Sequence, residues 1–193
     1  MKRAFDFSVA LLGSVLTSPI VLGCAIAVKL DSPGAAIYSG PRVGRGGKVF
    51  QIHKLRSMRA APGPAVTAGD DPRITRVGRF LRRTKLDELP QLWNVVAGEM
   101  SLVGPRPEHP DFVARYTPQQ QELLSVRPGI TGPAALAYMH EEKLLAGRDE
   151  TAYVDEVMPQ KLALELDYLQ RATFATDVGI LLKTLSSVVG KRR

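Results

Sequence analysis

An uncharged stretch near the N-terminus limits the folds open to this chain more than any other feature. No charged residue occurs from Phe7 to Val28, a run of 22 residues. As one helix the run would be about 33 Å long, enough to cross the hydrocarbon of a bilayer. Pro19 falls near its middle and removes one backbone hydrogen bond, and the hydroxyl of Ser18 can bond back to Ser14. The sequence therefore predicts a membrane helix with a kink at Ser18-Pro19.

The path of this helix is predicted from the charges at its ends. Lys2 and Arg3 precede the run and Lys29 follows it, which suits a helix that enters the membrane and returns to the same side. We therefore predict a re-entrant, monotopic membrane helix over residues 1–30 and one further domain over residues 31–193. Three alternatives stay open: a spanning helix, a secretory signal cleaved near Ala25-Ile26-Ala27, and a lipoprotein signal ending at Cys24.

Charge and composition restrict the partners of the chain. It carries 26 Lys and Arg against 19 Asp and Glu, a formal charge of +7, which favours an anionic partner such as a phospholipid surface or a phosphorylated substrate. Nucleic-acid binding is not predicted, because aromatic residues make up only 6% of the chain and no basic-aromatic stacking pattern occurs. Cys24 is the single cysteine, so an intrachain disulfide is excluded.

The rest of the chain predicts an α+β fold that is mostly helical, with a small β-hairpin and several short and amphipathic helices. Strand-like segments around Ile37-Tyr38 and Val49–His53 flank a glycine-rich turn at 44–47 and predict the hairpin. A helix that starts after Pro90 is predicted to end at Gly98. Further helices are predicted at 74–83, at 117–126 and over most of the chain after 134.

For each of three segments the sequence allows two interpretations. Residues 60–72 are too poor in large apolar groups to pack, and they form either a flap over a site or a slack loop. Arg127–Pro133 is predicted to be an ordered loop that either contacts an anion or makes a structural bend. The last helix, predicted over 177–189, has one apolar face that suits either core packing or a membrane interface.

Two adjacent carboxylates, Asp87 and Glu88, stand immediately before Leu89-Pro90. Because proline belongs to the first turn of a helix, Asp87 is predicted to lie at or beside the N-cap, where free N–H groups and the helix dipole keep it ionised. An ionised, positioned carboxylate is a potential nucleophile, although Asp and Glu at a helix start commonly serve only as caps. The cations around the pair favour a phosphate site: Arg79, Arg82, Arg83, Lys85 and Arg106.

At this point several motifs together resemble a known family, the small monotopic polyprenol-phosphate phosphoglycosyl transferases, or bacterial sugar transferases. The likeness covers nearly the whole chain in order. Its most specific parts are Leu-Asp-Glu-Leu-Pro-Gln-Leu at 86–92 and Ser-Leu-Val-Gly-Pro-Arg-Pro at 101–107. The other matching motifs are Lys2-Arg3-x-x-Asp6, Ser18-Pro19, Lys54-Leu55-Arg56-Ser57-Met58, Asp71-x-Arg73-Ile74-Thr75 and Arg127 to Gly132.

The resemblance implies an enzyme of the bacterial inner membrane, with residues 31–193 as a catalytic domain on the cytoplasmic face. Such an enzyme transfers a phosphosugar from a UDP-sugar to a polyprenol phosphate, expected here to be undecaprenyl phosphate, and releases UMP. The reaction passes through a covalent aspartyl-phosphosugar intermediate and starts the synthesis of a glycoconjugate. The partners implied are therefore a UDP-sugar, polyprenol phosphate and the lipid bilayer, with a homo-oligomer as a further expectation.

The same resemblance assigns roles to residues of the site. Asp87 is implied as the nucleophile, and Glu88 as the residue that helps to hold Mg²⁺ or orients the site, so that both are expected catalytic and metal-binding residues. The expected phosphate or substrate contacts are Arg106, Lys54, Arg56, Arg83 and Arg127. The chain departs from the family after Gly132, where Pro133–His140 replaces the common pattern. The rival class is a non-catalytic, membrane-anchored module that binds anionic lipid.

Overall fold

The structure, a computed structural model, describes residues 1–63, 71–139, 141–145 and 150–190. These residues form a mostly helical fold, as the sequence predicts, with two small β-sheets, of which only the hairpin was predicted. The helices are α1 Lys2–Asp31, α2 Arg76–Thr84, α3 Gln91–Ala97, α4 Pro110–Val113, α5 Pro118–Gln121, α6 Pro133–Ala137, α7 Glu141–Leu144, α8 Glu150–Ala152, α9 Met158–Arg171 and α10 Phe174–Val189. The strands are β1 Ile37–Val43, β2 Val49–Leu55, β3 Ser101–Val103 and β4 Gly129–Thr131. Most of the predicted loop at 60–72 lies outside the described residues.

The apolar run forms a single helix, α1, with Pro19 inside it. The Ser18 hydroxyl donates to the carbonyl of Val15 at 2.8 Å, and not to that of Ser14 as predicted. The reason is that Pro19 has no N–H to donate to the Val15 carbonyl, so this acceptor is free for the hydroxyl. Within the described residues α1 alone is long and apolar enough to cross a membrane. The kink and the re-entrant path stay predictions.

One side of α1 packs along the body of the protein, and the other side is exposed. Ala10 is fully buried in a cluster with Phe50 and Val95, and Val28 is buried against Leu55 and Leu81. The exposed side carries a long set of large apolar residues: Phe7, Val9, Leu11, Leu12, Val15, Leu16, Ile20, Leu22, Ile26 and Leu30. An apolar surface of this extent is characteristic of a membrane-contacting face.

The predicted hairpin is confirmed. β1 and β2 pair antiparallel from Ile37 opposite Leu55 to Val43 opposite Val49. The turn between them contains Gly46 and Gly47, both with positive φ, which side-chain-bearing residues rarely adopt. The hairpin packs against α1 and α3, and Ile52 lies in the same buried cluster as Val95.

A second sheet, which the sequence analysis missed, joins β3 and β4 in parallel. Ser101 pairs with Gly129 and Val103 with Thr131. The predicted ordered loop at 127–133 therefore contains a strand. A Cβ atom on Gly129 would lie 2.6 Å from the Gly104 carbonyl oxygen, so only glycine allows the two segments to approach this closely.

The C-terminal helices complete the body. Phe112, Leu123, Tyr153 and Leu162 belong to one buried cluster that α9 covers. In α10, Ile180 and Leu181 are partly buried against the core, whereas Leu182, Leu185 and Val188 are exposed. The apolar face of α10 is thus divided between the core and the surface.

Candidate active site

The two carboxylates Asp87 and Glu88 lie in a 3-10 turn, Leu86–Glu88, between α2 and α3. Lys85 precedes this turn in the left-handed conformation, with φ of 58°, and its N–H closes the end of α2. The N-cap of α3 is Pro90, and no side chain caps it. The predicted capping role of Asp87 is therefore wrong. The 3-10 turn continues almost directly into α3, so Asp87 is already inside helical backbone and cannot reach the N–H groups that a cap residue faces.

Asp87 is buried, and its Oδ1 atom has no hydrogen-bond partner among the residues that the structure describes. Burial raises the pKa of Asp87, and the neighbouring negative charge of Glu88 raises it further. An orphaned carboxylate oxygen is costly in a folded protein unless a ligand or an ion occupies its free position. The environment thus favours a basic carboxylate that has one oxygen open for chemistry.

Glu88, unlike Asp87, is ion-paired. Its Oε1 atom lies 3.2 Å from Lys54 Nζ and 3.6 Å from an Nη atom of Arg106. Burial alone would raise the pKa of Glu88, but Lys54, Arg106 and Lys85 together hold it well below its usual range. Two neighbouring carboxylates whose pKa values are pushed in opposite directions are typical of catalytic pairs.

Arg106 is placed by the backbone of the segment that follows β3. The Gly129 N–H donates to the Pro105 carbonyl at 2.8 Å, and the Arg106 N–H donates to Oε1 of Glu165 at 3.4 Å. Two residues later, the Glu108 carbonyl accepts the Val43 N–H of β1 at 3.0 Å. Strand pairing, a buried carboxylate and the hairpin therefore fix the position from which Arg106 reaches Glu88.

The remaining predicted site residues lie apart from the pair. Arg56 donates to the carbonyls of Ser32 and Pro33, just after α1, and Arg127 donates to the Gly98 carbonyl at 2.7 Å. Arg83 is exposed near the end of α2. Their predicted phosphate contacts stay predictions, because the structure brings only Lys54 and Arg106 of the five cations to the carboxylates. Ser18 and Pro19 lie in α1, as predicted.

A buried ionic network behind Arg106 was not predicted from the sequence. Lys161 is 4% exposed and contacts Oε1 of Glu108 at 3.4 Å, Oε1 of Glu141 at 2.8 Å and the Tyr153 hydroxyl at 2.9 Å. The Tyr153 hydroxyl also donates to Glu108 at 2.9 Å. The sequence gives only a weak indication of this network. Lys161 can be recognised as buried only when the residues of α9 are correctly assigned to its inner and outer faces.

The expected Mg²⁺ requires side chains that can act as its ligands. No group of three or more His, Cys, Asp and Glu side chains that could hold a metal occurs within the ranges that the structure describes. Mg²⁺ is commonly bound through one or two carboxylates together with substrate phosphates and water. The unpartnered oxygen of Asp87 fits this requirement. Glu88 fits less well, because two cations already contact its Oε1 atom.

The similarity of this chain to known proteins extends over nearly its whole length. Residues 1–191 match the family model described as bacterial sugar transferase. A protein of Caulobacter vibrioides, the UDP-glucose:undecaprenyl-phosphate glucose-1-phosphate transferase, is 41% identical over 97% of this chain and 69% of its own length.

Two other relatives are similar over almost the whole of this chain. The UDP-N-acetylgalactosamine-undecaprenyl-phosphate N-acetylgalactosaminephosphotransferase of Aeromonas hydrophila is 35% identical over 98% of this chain and 44% of its own length. The exopolysaccharide production protein PSS of Rhizobium leguminosarum is 36% identical over 97% of this chain and 94% of its own length. The named relatives carry different sugars, so the similarity indicates a reaction class and leaves the sugar open.

Proposed function

The chain belongs to the bacterial sugar transferase family, and on this basis we propose that it transfers a sugar phosphate from a UDP-sugar to undecaprenyl phosphate. The observation that carries the proposal is the differentiated pair, in which Asp87 has an open oxygen while Glu88 is ion-paired to Lys54 and Arg106. The relatives named for this reaction support the same substrates. A non-catalytic lipid-binding module would not require such a pair.

We propose that Asp87 is the nucleophile. One oxygen of its carboxylate attacks the sugar-bearing phosphorus of the UDP-sugar, and the bond from that phosphorus to the bridging oxygen breaks. The bridging oxygen leaves with the electron pair as part of UMP, and an aspartyl-phosphosugar remains. An oxygen of undecaprenyl phosphate then attacks the same phosphorus, which releases the Asp87 carboxylate and forms the polyprenyl-diphosphate sugar. The raised pKa of Asp87 makes its ionised form a stronger nucleophile.

The cations beside the pair provide the positive charge that an anionic nucleophile needs in order to approach an anionic substrate. A carboxylate that approaches a diphosphate meets repulsion between like charges, and positive groups fixed beside the phosphates offset it. Arg106, with its planar fork, and Lys54 stand on the Glu88 side of the pair, where Glu88 keeps both oriented. Mg²⁺ bound by Asp87, with Glu88 nearby, would neutralise phosphate charge in addition.

We also propose a monotopic attachment to the cytoplasmic face of the inner membrane. Both ends of α1 contact the same body: Lys2 pairs with Asp177 near the start, and Asp31 accepts the Val77 N–H at 3.1 Å at the end. A helix that crossed the membrane would hold its two ends on opposite sides, away from one common domain. The arrangement therefore favours a re-entrant or in-plane helix over a spanning one.

The test of the nucleophile is Asp87→Asn in the full-length protein, purified in lipid nanodiscs. We expect UMP release from a panel of UDP-sugars to fall at least about 1,000-fold and the phosphosugar adduct to vanish from intact-mass spectra. The control is Asp167→Asn, at an exposed surface pair of α9, which should keep wild-type rates. More than a tenth of the wild-type rate in Asp87→Asn would remove Asp87 from this role.

Two further outcomes bear on the proposal. Excess chelator should stop UMP release and added Mg²⁺ should restore it, whereas a full rate in chelator would exclude the metal. If the wild-type protein released UMP from none of the UDP-sugars yet bound anionic vesicles tightly, the lipid-binding module would replace the transferase.

A further inference from the structure

One face of the β-hairpin continues from the carboxylate pair along β1. In an antiparallel pair, residues directly opposite each other share a face of the sheet. Tyr38 lies opposite Lys54, and Arg42 opposite Phe50, so Tyr38, Gly40 and Arg42 are on the face that carries Lys54. Lys54 contacts Glu88 at 3.2 Å. This strip of β1, Tyr38 to Arg42, therefore begins beside the proposed site.

Arg42 differs from Lys54 and Arg106 in forming no ion pair within the described ranges. It is partly buried, and its single hydrogen bond goes from an Nη atom to the carbonyl of Pro41 at 2.7 Å. Among the described residues no carboxylate lies within ion-pair distance of it, whereas Lys54 and Arg106 both contact Glu88. Burial lowers the pKa of Arg42, and Arg106 lowers it further, whereas Tyr38 and Glu108 act in the opposite direction. A partly desolvated cation without a counter-ion is a suitable site for a bound anion.

The other end of the strip, at Arg42, is linked to the segment that holds Arg106. The next residue, Val43, donates its N–H to the Glu108 carbonyl at 3.0 Å, which joins β1 to the segment that holds Arg106. Glu108 accepts hydrogen bonds from Lys161 and from the Tyr153 hydroxyl. An anion that bridged from Arg106 towards β1 would thus meet Arg42 as the next free positive charge.

Tyr38 offers a different kind of contact. Its side chain is 47% exposed, and its ring folds along the strand over Gly40. A Cβ atom on Gly40 would lie 2.7 Å from Cζ of Tyr38, so the ring occupies the space that any other side chain would fill. A partly exposed aromatic ring next to cations is a common platform for a nucleobase.

We propose that Tyr38, Gly40 and Arg42 form the subsite for the nucleoside monophosphate half of the nucleotide sugar. Arg42 binds the phosphate that departs with the nucleoside, and the Tyr38 ring stacks on the pyrimidine base. The inference rests on the proposed function, because negative charge accumulates on this phosphate only when its bond to the sugar-bearing phosphorus breaks. Lys54 and Arg106, already paired with Glu88, would act on the transferred phosphate, and Arg42 on the leaving one.

Binding of UMP and of ribose 5-phosphate to the full-length protein in nanodiscs, measured by calorimetry, tests the subsite. Arg42→Met should weaken both ligands at least tenfold, because both present the phosphate. Tyr38→Ala should weaken UMP by about 5-fold to 150-fold and leave ribose 5-phosphate unchanged, since only UMP carries the base. Arg45→Met, at an exposed position in the hairpin turn, is the matched control and should bind both ligands as the wild type does.

Gly40→Ala gives a test that leaves both contact residues in place. Gly40 does not have positive φ, so alanine suits its backbone, and the atoms nearest to the new methyl group belong to the Tyr38 ring, which it displaces. The variant should lose part of the preference for UMP over ribose 5-phosphate. Wild-type UMP affinity in both Arg42→Met and Tyr38→Ala, with UMP release intact in the wild type, would overturn the subsite alone. A wild-type protein that neither binds nor releases UMP would overturn the proposed function and the subsite together.

Discussion

Glu165 is expected to make the stability of the protein depend on pH. It is 2% exposed on α9, and its Oε1 atom accepts the Arg106 N–H, whereas its Oε2 atom has no hydrogen-bond partner in the described part of the chain. Burial raises the pKa of Glu165 from its ordinary value of 4.5 to about 7. Between these two values the folded protein holds a proton that the unfolded chain releases. The contribution of Glu165 to stability is therefore complete below pH 4.5 and is lost as the pH rises through 7.

The size of the effect follows from the two pKa values. Linkage gives a loss of about 2.5 kcal/mol between pH 5 and pH 8, as an order of magnitude. For a chain of this length, about 2–4 °C of melting temperature corresponds to each kcal/mol, so the wild type should lose about 5–10 °C through this group alone. Glu165→Gln keeps the shape and an acceptor for the Arg106 N–H but does not titrate.

Thermal unfolding of the full-length protein in detergent, followed by the fluorescence of Trp93, the single tryptophan, measures this difference. The melting temperature of Glu165→Gln relative to the wild type should rise by about 5–10 °C between pH 5 and pH 8. Glu122→Gln, at an exposed position, should follow the wild type at every pH. Parallel pH profiles for Glu165→Gln and the wild type would show that the buried carboxyl does not titrate in this range, and the reasoning would fail.

Two other outcomes follow from the structure. Asn94, 1% exposed, bonds the Gln51 carbonyl at 2.7 Å and the His53 N–H at 3.1 Å, so Asn94→Ala should reduce the free energy of unfolding by about 2–4 kcal/mol in urea titrations. A loss below about 1 kcal/mol, or one equal to that of the exposed Gln119→Ala, would contradict this. An epitope tag before Met1 should be accessible to protease in inverted inner-membrane vesicles and protected in right-side-out ones, and the reverse would refute the re-entrant helix.

Elements set by local patterns were predictable from the sequence. The β-hairpin follows from two strand-like runs around a glycine-rich turn, and Gly98 ends α3 in the left-handed conformation as expected. Thr117 caps its helix with a reciprocal bond from Gln120. In each case the residues that decide the structure are within a few positions of one another, so propensity and spacing are sufficient.

Features that depend on distant contacts were not predictable in this way. β3 and β4 have three residues each and pair only because glycine backbones more than twenty residues apart approach closely. The Glu88 partner Lys54 comes from β2, far from the carboxylates in sequence. The capping role of Asp87 failed because the sequence does not reveal that a 3-10 turn starts the helix early. Arg42, which we propose as a phosphate contact, was not predicted from the sequence because only its surroundings in the fold distinguish it from other arginines.

The start of α1 connects the membrane helix to both halves of the candidate site. Arg3 donates to the Val95 and Val96 carbonyls, at 2.6 and 3.0 Å, at the end of α3. Asp6, 3% exposed, accepts the Ser101 hydroxyl at 2.7 Å at the start of β3. Because α3 follows the turn with Asp87 and β3 leads to Arg106, a shift of α1 would move both sides together. Under the proposed function, the depth of α1 in the lipid would therefore set the height of Asp87, which would have to reach a water-soluble UDP-sugar and a lipid phosphate at the headgroup level.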